Sequence, residues 1–277
     1  MKLDTTSYYP KSPLDDDAEE EVIKVVESAP DLKEEAKSEE TDTEIVSEEK
    51  IIDYDPEYEV EPDRSTPPTA GERIADGLST FLSWALVPLL MPVYGVILAF
   101  TLSILAYTST ATKIVFTLVT FGFTVIIPTL LVLLLKRMGL VHDIGLNGRK
   151  ERLIPYIVSI LSMLGTGAFM WYKGAPSWLV MFFAGGGIAG IVNLIINFRW
   201  KISAHAAGIA GIVALLIRII RDGFPQEGAF LWLLISIGLV GLLGTSRVWL
   251  GRHTVWQVIA GYVVGFLSVM LMTLIKF

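Results

Sequence analysis

Two histidines, each beside basic residues and each at the start of an apolar segment, are the residues of this sequence best suited to chemistry. The first ends the string Arg-Trp-Lys-Ile-Ser-Ala-His, residues 199–205, and the second ends Ser-Arg-Val-Trp-Leu-Gly-Arg-His, residues 246–253. Ionisable groups next to such apolar segments are costly to bury, so they are functional candidates by default. The third histidine, His142, stands beside Asp143, and we interpret that pair as part of a loop.

The basic and hydroxyl side chains of these two strings are suited to binding a phosphate. Arg247 presents a planar fork that can hold two phosphate oxygens, and Lys201 supplies a compact positive charge. Arg199 adds a further cation beside Lys201. Ser203, together with the free backbone N–H groups at the start of the following helix, extends the anion site, and we include Ser246 in the same set.

The two imidazoles divide naturally into a nucleophile and an acid. One can attack phosphorus while the other protonates the leaving oxygen, which is nucleophilic catalysis with general acid assistance. Gln257 follows His253 by four residues, which is one helical turn. Its side-chain oxygen is therefore placed to accept a hydrogen bond from the His253 ring.

The segments that carry these residues read as membrane helices. The chain has 277 residues, 52% of them hydrophobic, with an apolar body after residue 72. We predict crossings at roughly 81–106, 113–135, 153–172, 177–197, 203–220, 229–247 and 254–275, since a helix needs roughly 20 apolar residues to cross the hydrocarbon. Continuous apolarity selects helices over a barrel. The sequence predicts an all-α bundle of six to seven helices, the shortest segment being a crossing or a re-entrant piece.

The N-terminal region has a different composition. Residues 1–70 carry 23 acidic and 7 basic side chains, whereas residues 71–277 carry 6 acidic and 15 basic ones. We predict a disordered acidic tail over residues 1–72 and a transmembrane domain over 73–277. Two short apolar patches, at 22–26 and 51–58, are either chance or a docking peptide for a protein partner. We expect no nucleic-acid partner.

The tail also bears on sidedness. With seven crossings it shares a face with the loops near 136–152, 198–202 and 248–253, which are the more basic ones. The positive-inside rule places that face in the cytoplasm, and an acidic tail without a signal peptide agrees. We therefore expect an integral protein of the cell membrane with its tail and its site on the cytoplasmic side.

Other residues have structural interpretations. The absence of cysteine excludes thiol nucleophiles and disulfides. We interpret the glycines within the crossings, at 185–187, 190, 208, 211, 261 and 265, as points of close helix packing. Arg218 and Arg221, near the end of a crossing, are expected to reach toward the far interface.

The spacing of the second string resembles a known signature. Ser246-Arg247, five residues and His253 look like the third signature of the type 2 phosphatidic acid phosphatase superfamily, S-R-x5-H-x3-D. Residues 203–205, Ser-Ala-His, resemble its second signature, P-S-G-H. Gln257 takes the place of the aspartate, as in dolichyl-diphosphatase-like members. The resemblance covers residues 199–265.

The resemblance implies roles for these residues. His253 would form a phosphohistidine, His205 would protonate the leaving group, and Arg247 and Ser203 would bind phosphoryl oxygens, with no metal and no cofactor. The first signature, K-x6-R-P, has no recognisable counterpart. Lys201 with Arg199 is the substitute we favour; the cluster at 149–152 is the alternative, although its simpler interpretation is membrane anchoring.

The sequence thus predicts a membrane-embedded phosphatase acting on a phospholipid or a polyprenyl (di)phosphate. Two rivals keep the fold. One is a catalytically impaired member that binds lipid or acts as a scaffold, and the other is a lipid transporter whose activity would survive loss of His253.

Overall fold

The computed structural model describes residues 68–139, 153–221 and 225–276. Most of the predicted tail, the cluster at 149–152 and His142 with Asp143 lie outside these ranges. Within them the chain forms nine α-helices and no strand. The helices are α1 (Ala70–Ala85), α2 (Met91–Leu102), α3 (Thr110–Phe121), α4 (Ile127–Arg137), α5 (Leu153–Tyr172), α6 (Ser177–Asn197), α7 (Ala204–Arg221), α8 (Ala229–Trp249) and α9 (Val255–Thr273).

Seven of the helical stretches are long and apolar enough to cross a membrane, so the predicted all-α polytopic bundle is confirmed. Five of them are α5 to α9 individually. The other two, Ala70–Leu102 and Thr110–Arg137, each combine two helices. Residues 122–126 form a single π-helical turn between α3 and α4. The described part of the chain is accordingly an integral membrane protein.

Helix α1 is amphipathic. Thr69 and Glu72 form a capping box at its start, so the helix begins at Ala70, before the boundary placed at residue 72. Its apolar residues at 74, 78, 81 and 84 are exposed, with Trp84 83% exposed. The opposite face carries the buried Ser79 and the half-buried Asp76 and Ser83. The spacing of three and four residues puts the exposed apolar side chains in one stripe.

Proline ends α1 and turns the chain into α2. Pro88 begins a short 3₁₀ turn, Pro88–Leu90, and Pro92 lies in the first turn of α2. A proline is tolerated at these positions because its missing N–H would be unpaired there anyway. The Tyr94 hydroxyl donates to the Ala85 carbonyl oxygen at 2.8 Å, which satisfies one of the free carbonyls at the end of α1. The predicted kink is therefore a break between two helices.

Glycine brings α7, which carries His205, and α9, which begins two residues after His253, into close contact. A Cβ on Gly265 would lie 2.6 Å from the Cα of Ala207, and a Cβ on Gly261 would lie 2.9 Å from the Ala206 Cβ. Real side chains do not approach so closely, so only glycine allows this separation of the two backbones. Gly185 of α6 meets the backbone of α9 in the same way. Predicted close packing is confirmed at these positions.

Gly208 and Arg218 make contacts that the sequence did not indicate. Gly208 faces Met91 and Pro88 at the α1–α2 junction. Arg218, near the end of α7, is buried, and its Nε donates to the carbonyl oxygen of Thr273 at 2.8 Å. The cation thereby satisfies a free carbonyl at the end of α9, where the helix dipole favours positive charge.

Candidate active site

Helix α7 begins with a serine cap. Ser203 is fully buried, its Oγ accepts a hydrogen bond from the Ala206 N–H at 3.3 Å, and its carbonyl oxygen accepts from Ala207. This is the usual arrangement at a helix N-terminus, where a hydroxyl replaces a missing backbone partner. The cap fixes the position of His205, the second residue of the helix, at the end of the bundle where α7 begins.

The end of α8 folds back so that His253 stays close to Arg247. Gly251 adopts a left-handed conformation with φ of 66°, which reverses the chain after the helix. The backbone N–H groups of Arg252 and His253 then both donate to the Arg247 carbonyl oxygen, at 3.1 and 3.3 Å. The five residues between Arg247 and His253 thus form the turn that ends α8 and returns the chain to Arg247.

The orientation of the His253 ring is set by Gln257. His253 Nδ1 lies 3.1 Å from Gln257 Oε1, and the Thr254 N–H donates to the same oxygen at 3.2 Å. Thr254 and Gln257 form the capping box of α9. The Thr254 amide can only donate, so Oε1 is the acceptor and the ring nitrogen that faces it carries the proton. Nε2 of a neutral His253 therefore keeps its lone pair.

A backbone hydrogen bond joins the start of α7 to the first turn of α9. The Ser203 N–H donates to the main-chain carbonyl oxygen of Gln257 at 3.3 Å. One residue, Gln257, thus holds the His253 ring with its side chain and the start of α7 with its backbone. His253, Gln257 and Ser203 are all buried, which keeps this junction out of bulk water.

His205 contacts a helix that the motifs do not include. Its Nε2 lies 3.2 Å from the carbonyl oxygen of Ser83 in α1. A carbonyl oxygen can only accept, so Nε2 carries a proton, as an acid requires. A second contact holds α1 over the end of α8, since the Trp249 indole N–H donates to Asp76 Oδ1 at 2.8 Å. The polar face of α1 therefore spans both histidine strings.

The predicted phosphate-binding residues differ in burial. Lys201 is 4% exposed, Arg247 is half-buried and Arg199 is exposed. A buried lysine at the membrane face is suited to an anionic ligand because charge–charge attraction is stronger away from water. The Ser246 hydroxyl donates to the Leu242 carbonyl oxygen one turn earlier in α8, at 2.8 Å. The structure thus brings the basic residues of both strings to one end of the bundle.

Sequence reasoning missed the role of α1. Residues 70–72 of this helix were assigned to the tail and residues 81–85 to the first crossing. No contact with His205 was expected. The available signal was its amphipathic pattern, in which Asp76, Ser79 and Ser83 share one face and large apolar residues the other. Such a pattern indicates a surface helix but cannot say which residues its polar face covers.

Comparison with known proteins gives a match to a family model over the C-terminal part of the chain. Residues 197–277 match the family model described as the PAP2 superfamily. No curated protein and no solved structure matches the chain. The match begins two residues before Arg199 and includes both histidine strings, so the resemblance to this superfamily is confirmed. The C-terminal part of this membrane protein, with its two histidines and their basic neighbours, is therefore similar to the PAP2 superfamily.

Proposed function

We propose that this protein is a membrane-embedded lipid phosphatase that works through a phosphohistidine on His253. The observation that carries the proposal is the buried hydrogen bond from His253 Nδ1 to Gln257 Oε1. It leaves Nε2 as the nucleophilic nitrogen and fixes the direction of its lone pair. A histidine that served only packing would not need its ring held by an oxygen that is itself fixed by a capping box.

The first chemical step transfers the phosphoryl group. Nε2 of His253 attacks phosphorus, the N–P bond forms, and the bond from phosphorus to the lipid oxygen breaks. The leaving oxygen takes a proton from the imidazolium of His205. Arg247 and Lys201 balance the charge on the phosphoryl oxygens during the transfer, and Ser203 and the first N–H groups of α7 assist them.

The second step regenerates the enzyme. A water molecule attacks phosphorus and gives its proton to His205, which is now neutral. The N–P bond breaks, inorganic phosphate leaves, and the pair on nitrogen returns to His253. Each histidine ends in its starting protonation state, so the cycle closes.

The proton of His205 is held by the Ser83 carbonyl oxygen in this structure. If Nε2 is the acid, the leaving oxygen has to take the place of that carbonyl. A small movement of α1 relative to α7 would allow this. We therefore propose that the lipid enters beside α1. From the basic loops and the acidic tail we also propose that the site faces the cytoplasm.

The substrate is a phosphorylated lipid because the site lies where membrane helices begin. Both phospholipids and polyprenyl (di)phosphates have the required phosphoryl group. Substrate access from the bilayer suits a site bordered by α1, whose apolar stripe at 74, 78, 81 and 84 is exposed to the surrounding lipid.

The decisive experiment measures phosphate release by the full-length protein in detergent with EDTA present. The substrates are phosphatidate, phosphatidylglycerophosphate and undecaprenyl diphosphate, offered to the wild type and to His253→Ala. His142→Ala is the matched control, since it removes a histidine that we assign to a loop. We expect release by the wild type and by His142→Ala, and none above background by His253→Ala.

A covalent intermediate gives a second readout. A ³²P-labelled substrate should leave an acid-labile, base-stable label on the wild type that is missing from His253→Ala. Turnover that persists in His253→Ala would refute the mechanism. No turnover with any of the lipids would leave a lipid-binding or scaffolding protein as the better account.

A further inference from the structure

Ser83 of α1 has a buried hydroxyl that lacks a hydrogen-bond partner among the residues that the structure describes. Serine and threonine hydroxyls in helices usually donate to a carbonyl oxygen of the preceding turn. Those of Ser103, Thr120 and Thr166 do so here, at 2.6 to 2.8 Å, and are satisfied by their own chain segment. The Ser83 Oγ departs from this pattern, so its hydrogen-bonding capacity remains for a group outside the helix.

This hydroxyl lies beside the proposed acid. The carbonyl oxygen of the same residue is 3.2 Å from His205 Nε2. Four covalent bonds separate the two oxygens of Ser83, so they are at most roughly 5 Å apart. The hydrogen bond from the Trp249 indole to Asp76, at 2.8 Å, holds α1 in this place. Ser83 lies outside the matched region 197–277, so α1 adds to the site a residue that the signatures do not contain.

The second step of the proposed mechanism requires a further acceptor at this position. After the first step His205 Nε2 has lost its proton, so Nε2 and the Ser83 carbonyl oxygen are both acceptors and cannot bond to each other. A water molecule beside Nε2 donates one of its two O–H groups to that nitrogen. Its other O–H group needs a second acceptor, which fixes the direction of the lone pair that attacks phosphorus. The hydroxyl oxygen of Ser83 can accept that hydrogen bond.

We infer that Ser83 positions the water molecule that hydrolyses the phosphohistidine. The water oxygen bonds to phosphorus, its proton passes to Nε2 of His205, and the electron pair of the broken N–P bond returns to His253. Ser83 itself neither gains nor loses a proton. The inference rests on the proposed function, because it concerns the second step of that cycle.

An alcohol distinguishes this role, because an alcohol has one O–H group where water has two. Methanol can donate its O–H group to His205 Nε2 and attack phosphorus, but it has no second group for Ser83. Loss of the Ser83 hydroxyl should therefore slow the attack by water and leave the attack by methanol nearly unchanged. The ratio of inorganic phosphate to methyl phosphate, measured at one methanol concentration, reports on this hydrogen bond.

The test uses the full-length protein in detergent and lipids whose terminal phosphate carries ³²P. The lipids are phosphatidate, phosphatidylglycerophosphate and undecaprenyl diphosphate. The variants are Ser83→Ala, which removes the hydroxyl and keeps the backbone carbonyl, and Ser83→Thr, which keeps both. Ser79→Ala is the matched control, since it removes a buried side chain with a hydroxyl one turn earlier on the same face of α1.

We expect the ratio of inorganic phosphate to methyl phosphate to fall about five-fold in Ser83→Ala, which is the effect of one lost hydrogen bond. Without methanol, the fraction of enzyme that carries the acid-labile label should rise in this variant, because only the second step slows. A variant that merely misfolds would lower the label instead. Ser83→Thr and Ser79→Ala should keep the wild-type ratio.

A wild-type ratio in Ser83→Ala would overturn the inference. An equal fall in Ser83→Thr or in Ser79→Ala would also overturn it, because the ratio would then not depend on the Ser83 hydroxyl. Failure of the proposed function gives a different result, since the wild type itself would form no label and release no phosphate from any of the lipids. That result would overturn the inference together with the phosphatase.

Discussion

Replacing Gln257 with leucine tests whether the capping oxygen orients the nucleophile. The change keeps a side chain of similar size but removes the acceptor that His253 Nδ1 and the Thr254 N–H share at 3.1 and 3.2 Å. A buried donor left without an acceptor costs about 1–3 kcal/mol. The His253 ring would then no longer favour the tautomer with its proton on Nδ1.

The magnitude follows from that cost. If the full 1–3 kcal/mol appears in the transition state, kcat falls about 5- to 150-fold, since about 1.4 kcal/mol corresponds to ten-fold. KM should change little because Gln257 does not contact the phosphoryl group in the proposed mechanism. The assay is steady-state phosphate release in detergent, with the thermal midpoint of each variant recorded alongside.

Two controls separate orientation from folding. Gln257→Glu keeps an oxygen acceptor at the same distance along the chain and should retain far more activity than Gln257→Leu. Thr254→Ala removes the other half of the capping box, whose bond to the Gln257 N–H is 3.4 Å, and does not alter the His253 Nδ1 contact. It should lower stability by about 0.5–2 kcal/mol with a small effect on kcat. Wild-type kcat in a folded Gln257→Leu protein, or an equal loss in Thr254→Ala, would refute the reasoning.

Two further predictions concern charge and packing. Gln257→Asp should move the acid limb of the kcat profile to higher pH, because a carboxylate stabilises the protonated His253 ring; an unmoved limb in a full pH series would contradict the contact. Gly265→Ala should destabilise the protein by about 1–3 kcal/mol in thermal or denaturant unfolding, because its Cβ would meet the Ala207 backbone. Gly238→Ala, where a Cβ meets nothing within 4 Å, is the neutral control, and equal stability of the two variants would disprove the close approach.

The sequence predicted the membrane architecture well because crossing a bilayer imposes a length and an apolarity that are readable residue by residue. The predicted crossings after residue 153 agree closely with the observed helices. The first crossing was less well predicted. The region around Pro88 and Pro92 has apolar residues on both sides, so hydropathy alone could not show that α1 ends and α2 begins there.

The candidate site was predictable where it depends on local spacing. The contact between His253 and Gln257 follows from a separation of four residues. The two residues do not share a helix face, however, because His253 precedes α9 and Gln257 belongs to the capping box at its start. The contact between His205 and Ser83 joins positions 122 residues apart, so no local pattern could reveal it.

Gln257, the partner of the His253 ring, carries no charge, and this affects how the site can balance the charge of a phosphate. A carboxylate in that place would raise the basicity of the ring and also hold it protonated at mildly acid pH. The Gln257 oxygen orients the ring without adding charge. In the proposed mechanism, Lys201 and Arg247 then neutralise the charge of the phosphate. Because that attraction is strongest where water is excluded, the burial of Lys201 is the feature on which the rate should depend most strongly.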